Sequence, residues 1–323
     1  MIDLIFFGTD EFSTATLEVL VRNQDFKIVL VVTQPDRPTG RKQEVVQPPV
    51  KMMAEKYGLQ VMQPETLKDI ALGSSPTPTP TKRGLATTTY HLPPTDLNIV
   101  YRYGLIIPQN ILSLPTHGTI NIHPSMLPKY RGPSPIQTAI MNGDTETGIT
   151  VMLMDEAMDH GPILAQEIFP IAPDDTYQTL SSKMTPKVNE LLLTTIPHFL
   201  SGEIKPTPQN NAEATFSKIL GRDDGKIDWN QSATEIYNQY RALTPWPGVW
   251  TMWGGKRLKL ITITPSPFRR GTPGEVSITD EKIYIASGEE SIEVLELQLE
   301  GKKVMDAKAF LSGYKNINGT NLE

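Results

Sequence analysis

The sequence contains no cysteine among its 323 residues, and this absence excludes disulfide bonds and thiolate chemistry. It also contains no apolar run of about eighteen residues, the length that a membrane-spanning helix needs. The first residues, MIDLIFFGTDEF, include an acidic residue and only a short apolar run, which is not the pattern of a secretory signal. These absences favour a globular protein that works in a reducing, cytoplasmic setting, away from the membrane.

Acidic residues outnumber basic ones, and the formal net charge is −6. A nucleic-acid partner would therefore have to be held by local basic patches. The phosphate-binding patterns G-x-G-x-x-G and G-x-x-x-x-G-K-[ST] are both missing, so we interpret Gly8 in FFGTDEF as part of a tight turn. None of the five histidines lies four residues from another, and we predict no metal site.

Strand and helix patterns alternate over the first 67 residues. Helix patterns in TDEFSTATLEVLVRN and QPPVKMMAEKYG separate the buried-strand patterns of DLIFFG, FKIVLVVTQ and LQVMQP. Thr9 is the expected N-cap of the first helix. This alternation predicts an α/β fold with a parallel sheet and with ligands at the carboxyl ends of the strands. The length of the chain favours two domains.

Polar side chains follow a strand pattern in HGTINIHPS. Asn121 and His123 lie two residues apart, so in a strand they point to the same side. GITVMLMD and PILAQEIFPI read as a hairpin, and Asp159 lies in the loop that joins them. A carboxylate brought against an imidazole can fix its tautomer. Spacing alone leaves two interpretations open, a structural histidine with a turn aspartate or a reactive site. The adjacent His160 reads as a solvated turn residue.

The segment NIHPSMLPKYRGPSPIQTAIMNGDTETGITVMLMDEAMDHGPIL closely resembles the catalytic core of the folate-dependent formyltransferases. Residues 33–51, TQPDRPTGRKQEVVQPPVK, resemble the loop and helix of those members that act on methionyl-tRNA. Residues 224–250 and 295–311 resemble the start and the end of their C-terminal domain. The resemblance covers nearly the whole chain except 71–95. Its core is shared by several formyltransferases and indicates the reaction, whereas the other motifs indicate the substrate.

The resemblance implies a role for several residues. Asn121, His123 and Asp159 match the catalytic residues of the family. The implied formyl donor is 10-formyltetrahydrofolate, and the acceptor is the α-amino group of methionine on initiator tRNA, a reaction of translation initiation. The segment that matches the folate-lining one consists of Ser125, Met126, Leu127 and Pro128.

The resemblance also implies an organisation and a tRNA surface. It predicts a Rossmann-like formyltransferase domain and a small β-barrel of the oligonucleotide-binding kind (OB-like), in a monomer. The polar, proline-containing composition after a helix pattern places a linker at 201–212, between domains over 1–200 and 213–323. Arg37, Arg41 and Lys42 lie in the loop that enters the acceptor end of the tRNA in these relatives. Further basic candidates are Lys256, Arg257, Lys259, Arg269, Arg270, Lys302 and Lys303. We expect Trp246 and Trp250 to be packed rather than to stack on bases.

Two features depart from the family pattern. Residues 71–95 are dominated by proline, serine and threonine, which predicts an extended, solvated segment where relatives have an ordinary helix-and-strand connection. This segment is either a genuine low-complexity insertion or the product of a reading-frame error, which resequencing would separate. Arg102 in LNIVYRYGLIIP interrupts what should be a buried strand, where an unpaired charge is costly.

Two other functions use the same motifs. A formyltransferase that acts on an amino sugar nucleotide would share the catalytic core, but the basic loop PDRPTGRK disfavours it. A non-catalytic RNA-binding protein would need only the barrel, and the retained Asn121, His123 and Asp159 disfavour that interpretation.

Overall fold

The computed structural model of the chain describes residues 1–39, 43–68, 71–72, 77–80, 86–89, 91–268 and 271–323. The chain divides into two compact units. The first unit comprises residues 1–133, 148–169 and 182–216, and the second comprises 134–147, 170–181 and 217–323. The second unit thus takes in two segments from the N-terminal two-thirds of the chain. The predicted linker at 201–212 stays a prediction.

The first unit is built on a mixed sheet. Its strands in chain order are β1 (Ile2–Gly8), β2 (Phe26–Val32), β3 (Arg37–Thr39), β4 (Glu44–Val46), β5 (Val61–Met62), β6 (Ala71–Leu72), β7 (Thr77–Pro80), β8 (Ala86–Thr89), β9 (His91–Leu92), β10 (Leu97–Tyr101), β11 (Thr119–His123), β12 (Glu146–Leu153) and β13 (Ile163–Pro170). The order across the main sheet is β13-β12-β11-β10-β1-β2-β5. Strands β1, β2, β5, β10 and β11 run parallel, and β12 is antiparallel to β11.

Helices are present in both units. In chain order they are α1 (Glu11–Arg22), α2 (Pro49–Lys56), α3 (Gln109–Leu112), α4 (Pro135–Met141), α5 (Tyr177–Leu200), α6 (Ala233–Leu243) and α7 (Ala307–Gly313), with 3-10 turns at Asn211–Glu213, Arg222–Gly225 and Lys315–Ile317. No helix in the described ranges is long and apolar enough to cross a lipid bilayer. The predicted α/β fold with a parallel sheet is confirmed.

Strand β1 shows why the central strands read as continuous apolar runs. Leu4, Ile5, Phe6 and Phe7 are all fully buried. A parallel strand in the middle of a sheet is covered on both faces, so neither set of alternating side chains can be polar. Its carboxyl end, with the ends of β10 and β11, forms the edge at which ligands bind in such sheets.

The first helix begins one residue later than its sequence suggests. Asp10, not Thr9, is the N-cap, because its side chain accepts a hydrogen bond from the backbone N–H of Ser13. The Thr9 hydroxyl instead donates to the backbone oxygen of Tyr103 at 2.9 Å. Aspartate is the stronger N-cap former of the two, so Asp10 caps the helix while Thr9 binds this distant carbonyl.

Arg102 does not interrupt a strand, and that expectation was wrong. Strand β10 ends at Tyr101, and Arg102 follows in the left-handed region with φ +52°. Its guanidinium lies 3.3 Å from the Asp10 carboxylate and 4.5 Å from the centre of the Phe12 ring. The charge is therefore paired at the strand end, where the cost of burying it is offset.

The described part of 71–95 contains short extended strands, as its composition suggested, but Leu92 is buried in the core of the first unit, so the expectation of a solvated segment was wrong at this residue. Strand β7 pairs with β8, and β6 pairs with β9, in short ladders outside the main sheet.

The second unit carries an antiparallel sheet of short strands. These are β14 (Val249–Trp253), β15 (Lys256–Ser266), β16 (Val276–Thr279), β17 (Lys282–Ala286), β18 (Ser291–Leu299) and β19 (Met305–Asp306). Their order is β14-β15-β18-β17-β16, with β19 paired to β18. The predicted antiparallel sheet of short strands in the C-terminal region is confirmed, and helices α6 and α7 accompany it.

The two tryptophans of TPWPGVW have different environments. Trp250 is buried and donates its indole N–H to the backbone oxygen of Arg222 at 3.0 Å. The Arg257 guanidinium lies 3.8 Å from the centre of its ring. Trp246 is 59% exposed, so the expectation that it packs was wrong. Trp250 is buried because it lies in β14, whereas Trp246 precedes the start of that strand.

Phe310 offers a test of the core of the second unit. Its side chain is fully buried and its ring stacks on Tyr314 with centres 4.7 Å apart. We expect Phe310→Ala to lower the free energy of unfolding by about 3–5 kcal/mol, because it removes buried area and leaves a cavity.

Urea unfolding followed by tryptophan fluorescence measures this change, since all four tryptophans lie in residues 217–323. The control is Val304→Ala, because Val304 is 48% exposed and its truncation should change stability by less than about 0.5 kcal/mol. Equal midpoints for the two variants would contradict the assignment of Phe310 to the core.

Candidate active site

Strand β11 places two polar side chains at its carboxyl end. Ile120 and Ile122 point into the core and are almost fully buried. Alternation along the strand therefore directs Asn121 and His123 to the opposite face. The prediction that these two side chains share one side is confirmed by their common neighbour, Asp159.

The Asp159 carboxylate joins this strand to two other stretches of chain. Its Oδ1 accepts a hydrogen bond from Asn121 Nδ2 at 3.3 Å and lies 3.5 Å from His123 Nδ1. Its Oδ2 accepts from the backbone N–H of Gly132 at 2.7 Å. Asp159 lies in the loop between β12 and β13 with φ +49°, a region that aspartate tolerates better than most residues.

The tautomer of His123 follows from its second contact. Its Nε2 lies 2.9 Å from the backbone oxygen of Tyr130, and a carbonyl oxygen can only accept, so Nε2 carries a hydrogen. In the neutral ring, Nδ1 is then the nitrogen that can take up a proton, next to the Asp159 carboxylate. The ring is only 4% exposed, which restricts access for water. This arrangement suits acid–base chemistry at Nδ1.

The loop after β11 is held by a second network. The Thr150 hydroxyl donates to the backbone oxygen of Ser125 at 2.6 Å and accepts from the backbone N–H of Leu127 at 3.2 Å. Gln166 Nε2 donates to the Leu127 oxygen at 2.8 Å, and Ser125 Oγ donates to the Lys129 oxygen. The loop therefore has a defined shape independent of any ligand.

The four residues predicted to line a folate site divide into two pairs. Ser125 and Leu127 are buried in the loop, whereas Met126 and Pro128 are partly exposed. A side chain at Gly148 would begin 2.2 Å from the Met126 sulfur, so glycine makes room for Met126. Of these four residues, Met126 and Pro128 are the ones whose side chains are partly exposed to a ligand.

The predicted tRNA loop begins in a β-hairpin formed by β3 and β4. Arg37 pairs with Glu65 at 2.5 Å, and both side chains are exposed. Arg41 and Lys42 lie outside the described residues, as do Arg269 and Arg270 of the second unit. Of the other basic candidates, Lys256, Lys302 and Lys303 are exposed, and Arg257 lies against Trp250.

The start of this hairpin is anchored to the rest of the first unit. Lys51 Nζ lies 2.7 Å from the Asp36 carboxylate, and Gln63 Nε2 donates to Asp36 at 2.6 Å. The hydrogen bonds from Gln63 and then Lys51 lower the pKa of Asp36, so the carboxylate stays ionised and able to accept them. These contacts hold Asp36 in place, directly before Arg37 at the start of β3.

His160 occupies a polar turn, as expected. Its Nδ1 lies 2.7 Å from the Asp155 carboxylate and its Nε2 lies 3.1 Å from Asn211 Nδ2. Within the ranges that the structure describes, no group of three or more histidine, aspartate or glutamate side chains is arranged to hold a metal ion.

Two residues that hold the Asp159 loop in place, Arg131 and Gln209, were not predicted from the sequence. Arg131 is buried and donates to Gln209 Oε1, and Gln209 in turn donates to the backbone oxygens of Asp159 and Gly161. Arg131 was part of the motif and could have been noticed as a charge next to Gly132. Gln209 lies in a polar stretch without periodicity, and nothing local distinguishes it.

Comparison with known proteins agrees with this arrangement. The model of the formyl transferase family matches residues 2–196, and that of the formyl transferase C-terminal domain matches 219–315. The chain belongs to the formyl transferase family. The expected family resemblance is thereby confirmed.

Curated relatives match over nearly the whole length. The chain is 42% identical over 318 residues to a methionyl-tRNA formyltransferase of Myxococcus xanthus, covering 98% of this chain and 96% of the relative. It is 40% identical over 321 residues to that of Roseiflexus castenholzii, covering 99% and 98%.

Solved structures share the fold at lower identity. A methionyl-tRNA formyltransferase from Clostridium thermocellum matches with a TM-score of 0.55 and 18% identity, covering 91% of this chain and 100% of the other. An N-formyltransferase from Helicobacter canadensis, solved with folinic acid and dTDP-3-aminofucose, matches with a TM-score of 0.62 and 20% identity, covering 91% and 99%. At these identities the likeness concerns the fold alone.

Proposed function

We propose that this chain transfers a formyl group from 10-formyltetrahydrofolate to the α-amino group of methionine on initiator tRNA. The observation that carries the proposal is the 42% identity over 98% of the chain to a relative named methionyl-tRNA formyltransferase. The grouping of Asn121, His123 and Asp159 supports it, because these side chains match the chemistry of formyl transfer.

The reaction joins the amine nitrogen to the formyl carbon and breaks the bond from that carbon to N10 of the folate. Attack creates a tetrahedral carbon whose oxygen becomes negative. Asn121 has two amide hydrogens, and one is directed at Asp159. The other can donate to the developing oxyanion, an interaction that contributes about 3–4 kcal/mol in comparable sites.

The transfer also moves one proton from the attacking amine to the departing N10. His123 Nδ1 is the basic atom of the site, because Nε2 is committed to the Tyr130 oxygen. Accepting the amine proton would turn its 3.5 Å approach to Asp159 into an ion pair. The same proton can then pass to N10, so no net proton change remains on the protein.

The surfaces for the two substrates follow from the same proposal. The folate would lie against residues 125–128, with Met126 and Pro128 in contact and Ser125 and Leu127 keeping the loop in shape. Arg37, Arg41 and Lys42 would contact tRNA phosphates, with residues 213–323 as a second tRNA surface. The exposed pair of Arg37 with Glu65 is no obstacle, since such pairs contribute about 0–1 kcal/mol. The proposed active form is a monomer.

One assay tests the proposal directly. The purified chain is incubated with 10-formyltetrahydrofolate and methionyl initiator tRNA, and formylmethionine released from the tRNA is measured by chromatography. We expect formylmethionine to accumulate with tRNA and no product with an amino sugar nucleotide as acceptor. Formylation of the sugar nucleotide without formylation of the tRNA would overturn the proposal.

Truncation of the two β11 side chains should abolish most of this activity. We expect His123→Ala to lower kcat by about 10²–10⁴-fold, as the loss of an acid–base group does. Asn121→Ala should lower kcat by about 10²–10³-fold through loss of the oxyanion donor. The matched control is His117→Ala, because His117 is exposed in the same unit. A rate within threefold of wild type in either variant would remove that residue from the mechanism.

The basic side chains Arg41 and Lys42 should contribute to tRNA binding through their charge. We expect Arg41→Ala combined with Lys42→Ala to weaken tRNA binding and to reduce the slope of log Kd against log salt by about one for each phosphate that the wild-type side chains neutralise. Fluorescence anisotropy with labelled tRNA at several KCl concentrations measures both quantities. Lys187→Ala is the control, since Lys187 pairs with Glu190 and Glu167. An unchanged slope in the loop variant would exclude phosphate binding by these side chains.

A further inference from the structure

We propose that Gln209 is a positioning residue of the active site, whose carboxamide fixes the turn that presents the Asp159 carboxylate to Asn121 and His123. The residue belongs to the polar stretch that its sequence marks as a linker. The inference rests on the proposed formyl transfer for its kinetic part, and its structural part can be measured without any activity.

The turn at Asp159 requires support from outside. Asp159 has φ +49°, a conformation that costs energy for any residue with a Cβ and persists where surrounding contacts enforce it. The turn then closes tightly, because a side chain at Gly161 would begin 1.9 Å from the Leu153 oxygen. The backbone oxygens of Asp159 and Gly161, at the two ends of this turn, need donors.

Gln209 supplies both donors from one group. Its Nε2 lies 2.9 Å from the Asp159 oxygen and 2.8 Å from the Gly161 oxygen. A carboxamide nitrogen has two hydrogens, so both carbonyls can be satisfied at once. These two hydrogen bonds lie on either side of His160 and hold the turn at both of its ends.

Arg131 fixes the orientation of that carboxamide. Its Nε and Nη2 lie 3.1 Å and 2.7 Å from Gln209 Oε1, so the oxygen faces the guanidinium and the nitrogen must face the turn. Arg131 is itself only 4% exposed. Its Nη2 also donates to Asn211 Oδ1 at 2.7 Å, which directs the Asn211 amide towards His160 in the same turn.

Backbone pairing holds the segment itself in register. Thr207 and Ile163 exchange backbone hydrogen bonds of 2.8 Å on one side of Gln209. On the other side, the Thr215 oxygen accepts from the Arg131 N–H at 2.9 Å and the Thr215 hydroxyl accepts from the Tyr130 N–H at 2.8 Å. The segment is thus tied both to the hairpin that carries Asp159 and to the loop whose Tyr130 oxygen holds His123.

The informative variant is Gln209→Glu. The new carboxylate can still pair with Arg131, so the anchor of the segment is kept. Its second oxygen, however, would face two carbonyl oxygens where the wild type places two hydrogens. We expect the turn to loosen and kcat for methionyl-tRNA to fall about 10–100-fold, a loss of the size that follows when the hydrogen-bond partner that orients a metal ligand is removed. KM for methionyl-tRNA should stay within about threefold, because Gln209 does not touch the substrate.

One control and one second test variant accompany Gln209→Glu. Gln24→Glu makes the same chemical change on an exposed turn of the same unit and should leave kcat and exchange unchanged. Gln209→Met removes both hydrogen bonds without adding charge, and it carries the test if the Gln209→Glu protein does not fold.

Amide hydrogen exchange provides the readout that does not depend on catalysis. The Gly132 N–H donates to the Asp159 carboxylate at 2.7 Å, so displacement of Asp159 exposes it. We expect faster exchange at Gly132 and over residues 154–161 in both Gln209 variants, with the exchange of β1 unchanged.

The outcomes separate this inference from the proposed function. Unchanged exchange at Gly132, an unchanged kcat, or a raised KM with wild-type kcat would overturn the positioning role. A wild-type protein that formylates no tRNA would overturn the proposed function instead. In that case faster exchange in the variants would still support Gln209 as the residue that positions Asp159.

Discussion

The Asp159 carboxylate connects the loop between β12 and β13 to strand β11 and to the loop that follows β11, and the geometry of the site depends on its hydrogen bonds. It accepts from Asn121 at the end of β11 and from the backbone of Gly132 in the following loop. A carboxylate that is 13% exposed is costly unless it is hydrogen-bonded, so these donors are a condition for its placement. The same contacts bring it within 3.5 Å of His123 Nδ1.

Three local constraints converge on that carboxylate. The pleat of β11 places Asn121 and His123 on one face, and the Tyr130 oxygen determines which nitrogen of His123 carries hydrogen. The left-handed turn at Asp159 brings the carboxylate across the strand end. Because each element is held by its own contacts, the site is preorganised, which is what electrostatic stabilisation of a developing charge requires.

Much of the fold could be predicted from periodicity, and the exceptions share a cause. The alternation of strands and helices and the hairpin that bears Asp159 are local patterns, and they are present as predicted. The N-cap is Asp10, while the neighbouring Thr9 binds the distant Tyr103 carbonyl. Arg102 is accommodated by Asp10 and Phe12, and Trp246 is exposed next to a buried Trp250. The last two outcomes were decided by residues far away in the chain or by the point where a strand begins.

The sequence by itself determined the α/β character, the shared side of Asn121 and His123, and membership of the formyl transferase family. These follow from the period of the backbone and from residue identity in a continuous motif, both of which are local. Only the tertiary structure decided which nitrogen of His123 is basic, which residues of 125–128 are exposed, and that Gln209 contacts the turn at Asp159. Such contacts join segments whose separation along the chain has no fixed relation to their separation in space. A hydrogen bond needs distances near 3 Å and defined angles, and only the folded chain sets those.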